Sequence, residues 1–306
     1  LLEDKNSDDE EPDYIIEERD DIFRSSFHVP QYYYGLIIGA RGVMRKRIES
    51  DTKAKIFIPR QGQKGDVIVT GPYKKNVVKA RRRIDLIVIA ARSKQPFTHF
   101  LSIPFNSQPI QEAFKEFRSI ILHELKTIDP RLFQQPQKLH LTIGTICLID
   151  NEDRVLAAHL LKECQEKIIK PTVKKYGPFK LKMSGLEIMN DDPTAVDVLY
   201  GCIQEETTWE NDGVLQNMLN EIVDFFAAKG LMQKQYERVK LHVTLMNSLF
   251  CPDSENESRK DFDASLILKA FDRYEFGTQV VQEIHLSQRY STGCDGYYQS
   301  TMNITC

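Results

Sequence analysis

The sequence predicts an α+β protein of two domains, and three observations carry that prediction. Charge is segregated along the chain. Residues 25–92 follow a strand–helix–helix–strand–strand–helix order. A strand-like hexapeptide is written twice, its histidines at positions 140 and 242.

The net charge of -3 conceals three blocks. Residues 1–24 hold 11 Asp/Glu against 3 Lys/Arg, residues 25–92 hold 15 Lys/Arg against 4 Asp/Glu, and residues 93–306 hold 23 against 29. The first block is acidic and poor in apolar side chains, which predicts a tail over 1–24 that is disordered or partner-dependent. The second block is dense enough in cations to face a polyanion. Hydrophobic residues make up 41% of the chain, enough for a core in each domain, and no apolar run approaches the length of a membrane span. The six cysteines are scattered without a C-x-x-C pair. That excludes a zinc ribbon or a disulfide scaffold and predicts reduced thiols in a cytosolic or nuclear protein.

In the basic block, Phe27-His28-Val29 reads as a strand ended by Pro30, and residues 31–38 as a short helix. Gly39-Ala40-Arg41-Gly42 follows, then a helix over 43–51, a strand over 55–58, a Gly-rich turn over 61–66 and a strand over 67–70. A long helix to Arg92 has Val77, Val78, Ile84, Ile87 and Val88 spaced for one buried face. Residues 93–96 form a linker too short for the domains to wander independently. Beyond it, helical spacing covers 108–126, 152–169 and 213–229. Strand patterns cover 97–103, 138–149, 179–189, 195–203, 239–247 and 280–289, and 251–262 is a polar loop.

Two helices joined by G-x-x-G have a physical use. The glycines let the backbone turn tightly and approach a ligand, and the second helix begins at the loop with free N–H groups that favour phosphate. In this order and this charge setting, residues 25–92 resemble a KH domain of the eukaryotic type. The resemblance implies a clamp on single-stranded RNA, or single-stranded DNA, formed by Gly39, Ala40, Arg41 and Gly42. Ile37 and Ile38 would pack under bases, and Arg45 and Lys46 would approach phosphates. The alternative is a KH fold used only for protein contacts.

The repeat is the sharper signal. Lys138-Leu139-His140-Leu141-Thr142-Ile143 recurs as Lys240-Leu241-His242-Val243-Thr244-Leu245. In a strand, residues i and i+2 share a face. His140 and Thr142 therefore point one way and the apolar residues the other, and the second copy does the same. Side by side, the two strands would offer two imidazoles and two hydroxyls to one anion. One neutral histidine removes a proton, a protonated one supplies a proton to the leaving oxygen, and Thr142 and Thr244 hold phosphate oxygens. That chemistry needs neither metal nor other cofactor. Which histidine is acid and which is base is left open, because the copies are nearly identical. Phe100, Ser102 and Arg289 are further candidates for the groove. His99 alternates with core residues, and Ile284-His285-Leu286-Ser287 lacks the Lys-Leu lead-in, so both are left out of the site. His123-Glu124 lacks the second histidine of a zinc-protease helix.

The paired H-x-T motif makes residues 97–306 resemble the two-histidine phosphoesterase superfamily, which implies a two-lobed domain. Phe100-Leu101-Ser102-Ile103-Pro104 and Met189-Asn190-Asp191-Asp192-Pro193 resemble the branch containing the A-kinase anchor protein's nuclear-localisation domain. A KH domain joined this tightly to such a domain resembles the layout of a family of cointegrator-complex subunits. The resemblance implies a nuclear protein tied to transcription coactivation and alkylation-damage repair, with a helicase among its protein partners. Its groove would act on RNA ends, RNA linkages or 2',3'-cyclic phosphates. The alternative is a scaffold that binds RNA and proteins without turnover.

Overall fold

The computed structural model describes residues 14–60, 62–206, 212–234, 236–251 and 260–306. Residues 1–13 of the acidic tail and 252–259 of the polar loop lie outside them. The chain divides into two compact units, residues 1–96 with 149–153, and 97–148 with 154–306.

The first unit is a four-stranded antiparallel sheet backed by helices. In chain order it contains β1 (Glu17–Arg19), β2 (Ile22–Phe27), α1 (Tyr34–Ile38), α2 (Val43–Thr52), β3 (Lys55–Phe57), β4 (Val67–Gly71) and α3 (Lys74–Arg92). The strand order is β1-β2-β4-β3. Alternation explains β4, where Val67 and Val69 are buried beneath the helices. Val77, Ala80 and Ile84 supply the buried stripe of α3 and meet Tyr33, Ile37 and Ile48 in one core. Arg92 forks onto Asp153 through two hydrogen bonds of 2.8 and 3.1 Å, both partners buried.

Here the acidic stretch departs from expectation. Residues 17–27 form a hairpin that extends the sheet, where composition predicted disorder through residue 24. Two aromatic anchors account for it. Tyr14 donates a hydrogen bond to Asp85 at 2.6 Å, and the Arg81 guanidinium lies 4.3 Å over the Tyr14 ring and 3.9 Å over Phe27. The strand assigned to 27–29 is accordingly the earlier Ile22–Phe27.

The second unit carries one eight-stranded antiparallel sheet. Its elements are β5 (His99–Pro104), α4 (Gln108–Glu124), β6 (His140–Ile146), α5 (Asn151–Cys164), α6 (Lys170–Tyr176), β7 (Lys180–Ile188), β8 (Val198–Glu205), α7 (Val214–Ala228), β9 (His242–Asn247), α8 (Ser265–Phe271), β10 (Glu275–Val280), β11 (Glu283–Gln288) and β12 (Ser300–Thr305). The first residues of α5 group with the first unit. The strand order β10-β7-β8-β9-β6-β5-β11-β12 puts the two copies of the hexapeptide next to each other at the centre. Helix α4 buries Ile110, Phe114, Phe117 and Ile121, and α7 buries Leu215, Leu219, Ile222 and Phe226. Leu139, Leu141, Ile143, Val243 and Leu245 face the same core. Strands β10 and β12 and helices α6 and α8 escaped the sequence reading because they are short or lack clean periodicity. No helix among the described residues is long and apolar enough to cross a membrane.

Candidate active site and nucleic-acid interface

Strands β6 and β9 meet through a single antiparallel pairing, Leu141 opposite Val243. Continued one residue each way, that register sets His140 across from Thr244 and Thr142 across from His242. Each strand also begins at its histidine, because the preceding Lys-Leu is not extended into the sheet. The bend lets the imidazole turn back: His140 Nδ1 lies 2.7 Å from the Lys138 carbonyl oxygen, and His242 Nδ1 lies 2.8 Å from that of Lys240. A carbonyl only accepts, so Nδ1 carries the hydrogen in both rings. Nε2 is left as the nitrogen free to take or give a proton.

The surroundings of the two rings differ in degree. His140 is flanked by Phe100 at 5.0 Å and by Tyr298 edge-on at 5.2 Å, while His242 has Tyr200 at 5.3 Å. Burial pushes the pKa of His140 down to about 4, against the Lys138 carbonyl bond, with nearby His242 lowering it further. His242 is also lowered, chiefly by burial and then by Lys240, against its own backbone bond. Both lead-in lysines cap an aromatic ring beside their histidine: Lys138 Nζ lies 4.9 Å over Tyr298, and Lys240 Nζ lies 4.5 Å over Tyr200.

A cavity of about 1020 Å³ opens over this centre, lined by His140, Thr142, Thr244 and Phe100. Among the described residues its cations are Arg118, Arg131, Lys138 and Arg289, and no carboxylate lines it. His242 opens on an adjoining cavity of about 140 Å³ that shares Thr142 and Thr145 with the first and adds Lys234, Arg238 and Lys240. The predicted pair is thus brought to neighbouring strands, with Thr142 common to the two cavities.

Arg289 lines the large cavity, its guanidinium stacked 3.9 Å from the Phe97 ring and 4.7 Å from Tyr290. Ser102 does not line it, and the expectation is corrected. The side chain is buried, 3.0 Å from Ser287 Oγ and 2.9 Å from Tyr297 Oη, because Tyr297 covers the strand face it was expected to present. His99 is buried, and desolvation followed by Arg154 pushes its pKa down to about 4. Tyr200, Tyr298 and Arg118 were missed. The repeated lysine was the one available signal for the two tyrosines, since it caps both.

In the first unit, Gly39 (φ 70°) and Gly42 (φ 79°) turn the chain between α1 and α2. A Cβ on Gly39 would sit 2.7 Å from Met44 Cβ, so that position is sterically closed to side chains, whereas Gly42 faces open space. No side chain caps the N-terminus of α2, whose first N–H, that of Val43, donates to the Ala40 carbonyl. Ala40, Arg41 and Lys46 are exposed, and Ile38 and Arg45 half-buried. Ile37 is a correction. At 0% exposure it belongs to the core, and the helix turns Leu36 outward instead; Val43 and Met44 are exposed as well. His28, Asp150 and Glu152 bring ligand atoms within 4.8 Å of one another, and His28 and Asp150 are already joined by a hydrogen bond of 2.9 Å.

Comparison with known proteins agrees with this architecture. Residues 97–305 match the family described as the AKAP7 2'5' RNA ligase-like domain, and residues 24–86 match the KH domain. The chain is 36% identical over 296 residues to mouse (Mus musculus) activating signal cointegrator 1 complex subunit 1, covering 91% of this chain and 82% of that protein. It is 26% identical over 163 residues to an uncharacterized protein of Schizosaccharomyces pombe, covering 51% of this chain and 69% of that one. Among solved structures, E. coli LigT in its apo form aligns at 15% identity and a TM-score of 0.38, covering 69% of this chain and 98% of that one. On the family matches and the mouse relative, the chain belongs to the activating signal cointegrator 1 complex subunit 1 family, a KH domain followed by an AKAP7 2'5' RNA ligase-like domain.

Proposed function

We propose that this protein is a metal-independent phosphodiesterase acting on RNA ends, RNA linkages or 2',3'-cyclic phosphates, with the KH domain holding single-stranded RNA. One observation carries the reading: two histidines with identical tautomer-fixing bonds stand on adjacent strands, each across from the other's threonine. One Nε2 takes the proton of the attacking water or hydroxyl, and the other returns a proton to the leaving oxygen. Thr142 and Thr244 donate to the phosphate oxygens, and a cavity whose described lining carries cations and no carboxylate favours the anion. The G-x-x-G turn would clamp the strand's phosphates with Arg41, Arg45 and Lys46.

The test is turnover of RNA bearing 2',3'-cyclic phosphate ends, and of linear RNA, in the presence of EDTA. Turnover by the wild type that is lost in His140→Ala/His242→Ala supports the reading. Turnover that survives the double substitution refutes it.

A second reading concerns assembly. The mouse relative is named as a subunit of the activating signal cointegrator 1 complex. We propose the same role here, in the nucleus, linked to transcription coactivation and alkylation-damage repair, with a helicase among the partners. In this reading the groove holds RNA without turnover, and the acidic edge strand with exposed Glu17 and Glu18 docks a partner. Because β2 is internal to the sheet, the test is Glu17→Lys/Glu18→Lys rather than a truncation. Undiminished capture of the complex by that variant refutes the docking role.

A further inference from the structure

Of the four cations that line the large cavity among the described residues, three are already engaged. Arg131 is forked onto Asp129 by bonds of 2.7 and 3.1 Å. Lys138 donates to Thr292 Oγ1 at 2.8 Å, and Arg289 donates to the Phe97 carbonyl at 3.4 Å while stacked on its ring. Arg118 is not engaged in this way. Its Nε is buried without a hydrogen-bond acceptor, and among the described residues it makes no ion pair. Its guanidinium lies 5.7 Å over the Phe133 ring. A guanidinium partly withdrawn from water and left unpaired is unfavourable unless something else supplies an acceptor. Its planar fork matches phosphate better than any other side chain does.

The fold locates this group along the groove. Phe133 bridges to Met246, and Gln134 N donates to the Leu245 carbonyl at 2.8 Å, so the segment runs beside β9. Met246 lies two residues beyond Thr244, roughly 7 Å further along the strand. Phe133, the ring beneath Arg118, therefore lies beyond the His140–Thr244 end of the H-x-T centre. Leu249 and Phe250, both exposed, line the same stretch and offer an apolar face to a base.

We propose that Arg118 marks a second phosphate subsite, which holds a non-reacting phosphate of the substrate. This rests on the phosphoesterase reading above and deepens it: the favoured substrate carries at least two phosphates, one at the histidines and one at Arg118. The second phosphate is either internucleotide or terminal.

The experiment compares three substrates: a 2',3'-cyclic mononucleotide, the same compound with a 5'-phosphate, and a dinucleotide with a 2',3'-cyclic end. All are assayed in the full chain carrying Gly42→Asp, so that the KH clamp adds nothing. The expected KM falls about tenfold when a second phosphate is present. The 5'-phosphate arm responds if the subsite takes a terminal phosphate, and the dinucleotide arm if it takes an internucleotide one. Arg118→Gln should lose most of that gain, raising KM for the two-phosphate substrates far more than for the mononucleotide, and Arg118→Lys should recover part of it. An unchanged ratio in Arg118→Gln, or an equal loss on the mononucleotide, overturns the proposal.

Calorimetric titration of the same compounds onto His140→Ala/His242→Ala separates the two readings. If nothing is turned over but a second phosphate still tightens binding through Arg118, the phosphoesterase reading falls and the subsite stands. If the titration shows no such preference, the subsite falls whatever the turnover.

Discussion

Leu141 lies directly opposite Val243 in the one pairing that joins β6 to β9. Because each is the central residue of an H-φ-T triplet, the antiparallel register is symmetric about the pair. The histidine of one strand meets the threonine of the other, twice over. The two imidazoles are built alike and differ mainly in their neighbours, with Phe100 and Tyr298 around His140 and Tyr200 beside His242.

On the proposed mechanism the symmetry makes both histidines necessary. His140→Ala and His242→Ala should each lower kcat by roughly 10²–10⁴ with KM little changed, since each removes one proton transfer. The double substitution should fall little below the worse single, because the two act as one unit. Steady-state kinetics on a cyclic-phosphate end in EDTA reads both effects.

The burial of the site sets its pH dependence. With the His140 pKa at about 4, the ring is neutral well below the ordinary imidazole pKa near 6.5. The fall of kcat/KM that His140 governs, on the acidic side if it is the base and on the alkaline side if it is the acid, should therefore lie below pH 6. Tyr298→Ala, which opens the ring to water, should move that fall toward neutrality.

His99 brings stability into the same range. Its folded-state pKa is about 4, so between pH 6.5 and 4 the unfolded chain binds the proton and the folded chain does not. The stabilisation is complete above pH 6.5 and is lost as pH falls through 4. Urea unfolding should show stability declining over that window, and His99→Gln should flatten the decline by roughly 1–3 kcal/mol.

The two glycines of the clamp should separate by experiment. Gly39→Ala meets Met44 and a positive φ together, and should cost roughly 1–3 kcal/mol of stability. Gly42→Asp has open space and should fold with a smaller loss, yet place a carboxylate in the proposed path of RNA phosphates. For the wild type, log K should fall with log[salt] by about 0.7 per phosphate contacted. Most of that slope should vanish in Gly42→Asp; an unchanged slope places the RNA site elsewhere.

Arg92→Ala strands Asp153, a buried carboxylate, and should cost about 3–5 kcal/mol by thermal or urea unfolding. Arg92→Ala/Asp153→Ala should recover much of that, since no charge is then left unpaired.

Much of this was written in local pattern. The spacing of Phe114, Phe117 and Ile121 is a helix whatever surrounds it, and K-L-H-φ-T-φ is a strand with one polar face. The G-x-x-G turn declares itself because only glycine tolerates its backbone at Gly39. The hairpin over 17–27 did not declare itself. Its order comes from Tyr14, Phe27 and Arg81, partners up to 67 residues apart in sequence, and composition cannot register them.

The sequence by itself determined the two-domain α+β plan, the duplicated strand and the identity of the paired histidines and threonines, because each rests on residues within a few positions of one another. Only the tertiary structure decided that the copies are neighbours, that Tyr297 seals Ser102 away and that Ile37 is core. It also brought Tyr200, Tyr298 and Arg118 to the site. Those facts depend on which strands pair and which side chains cover them, and such long-range contacts leave no trace in local periodicity.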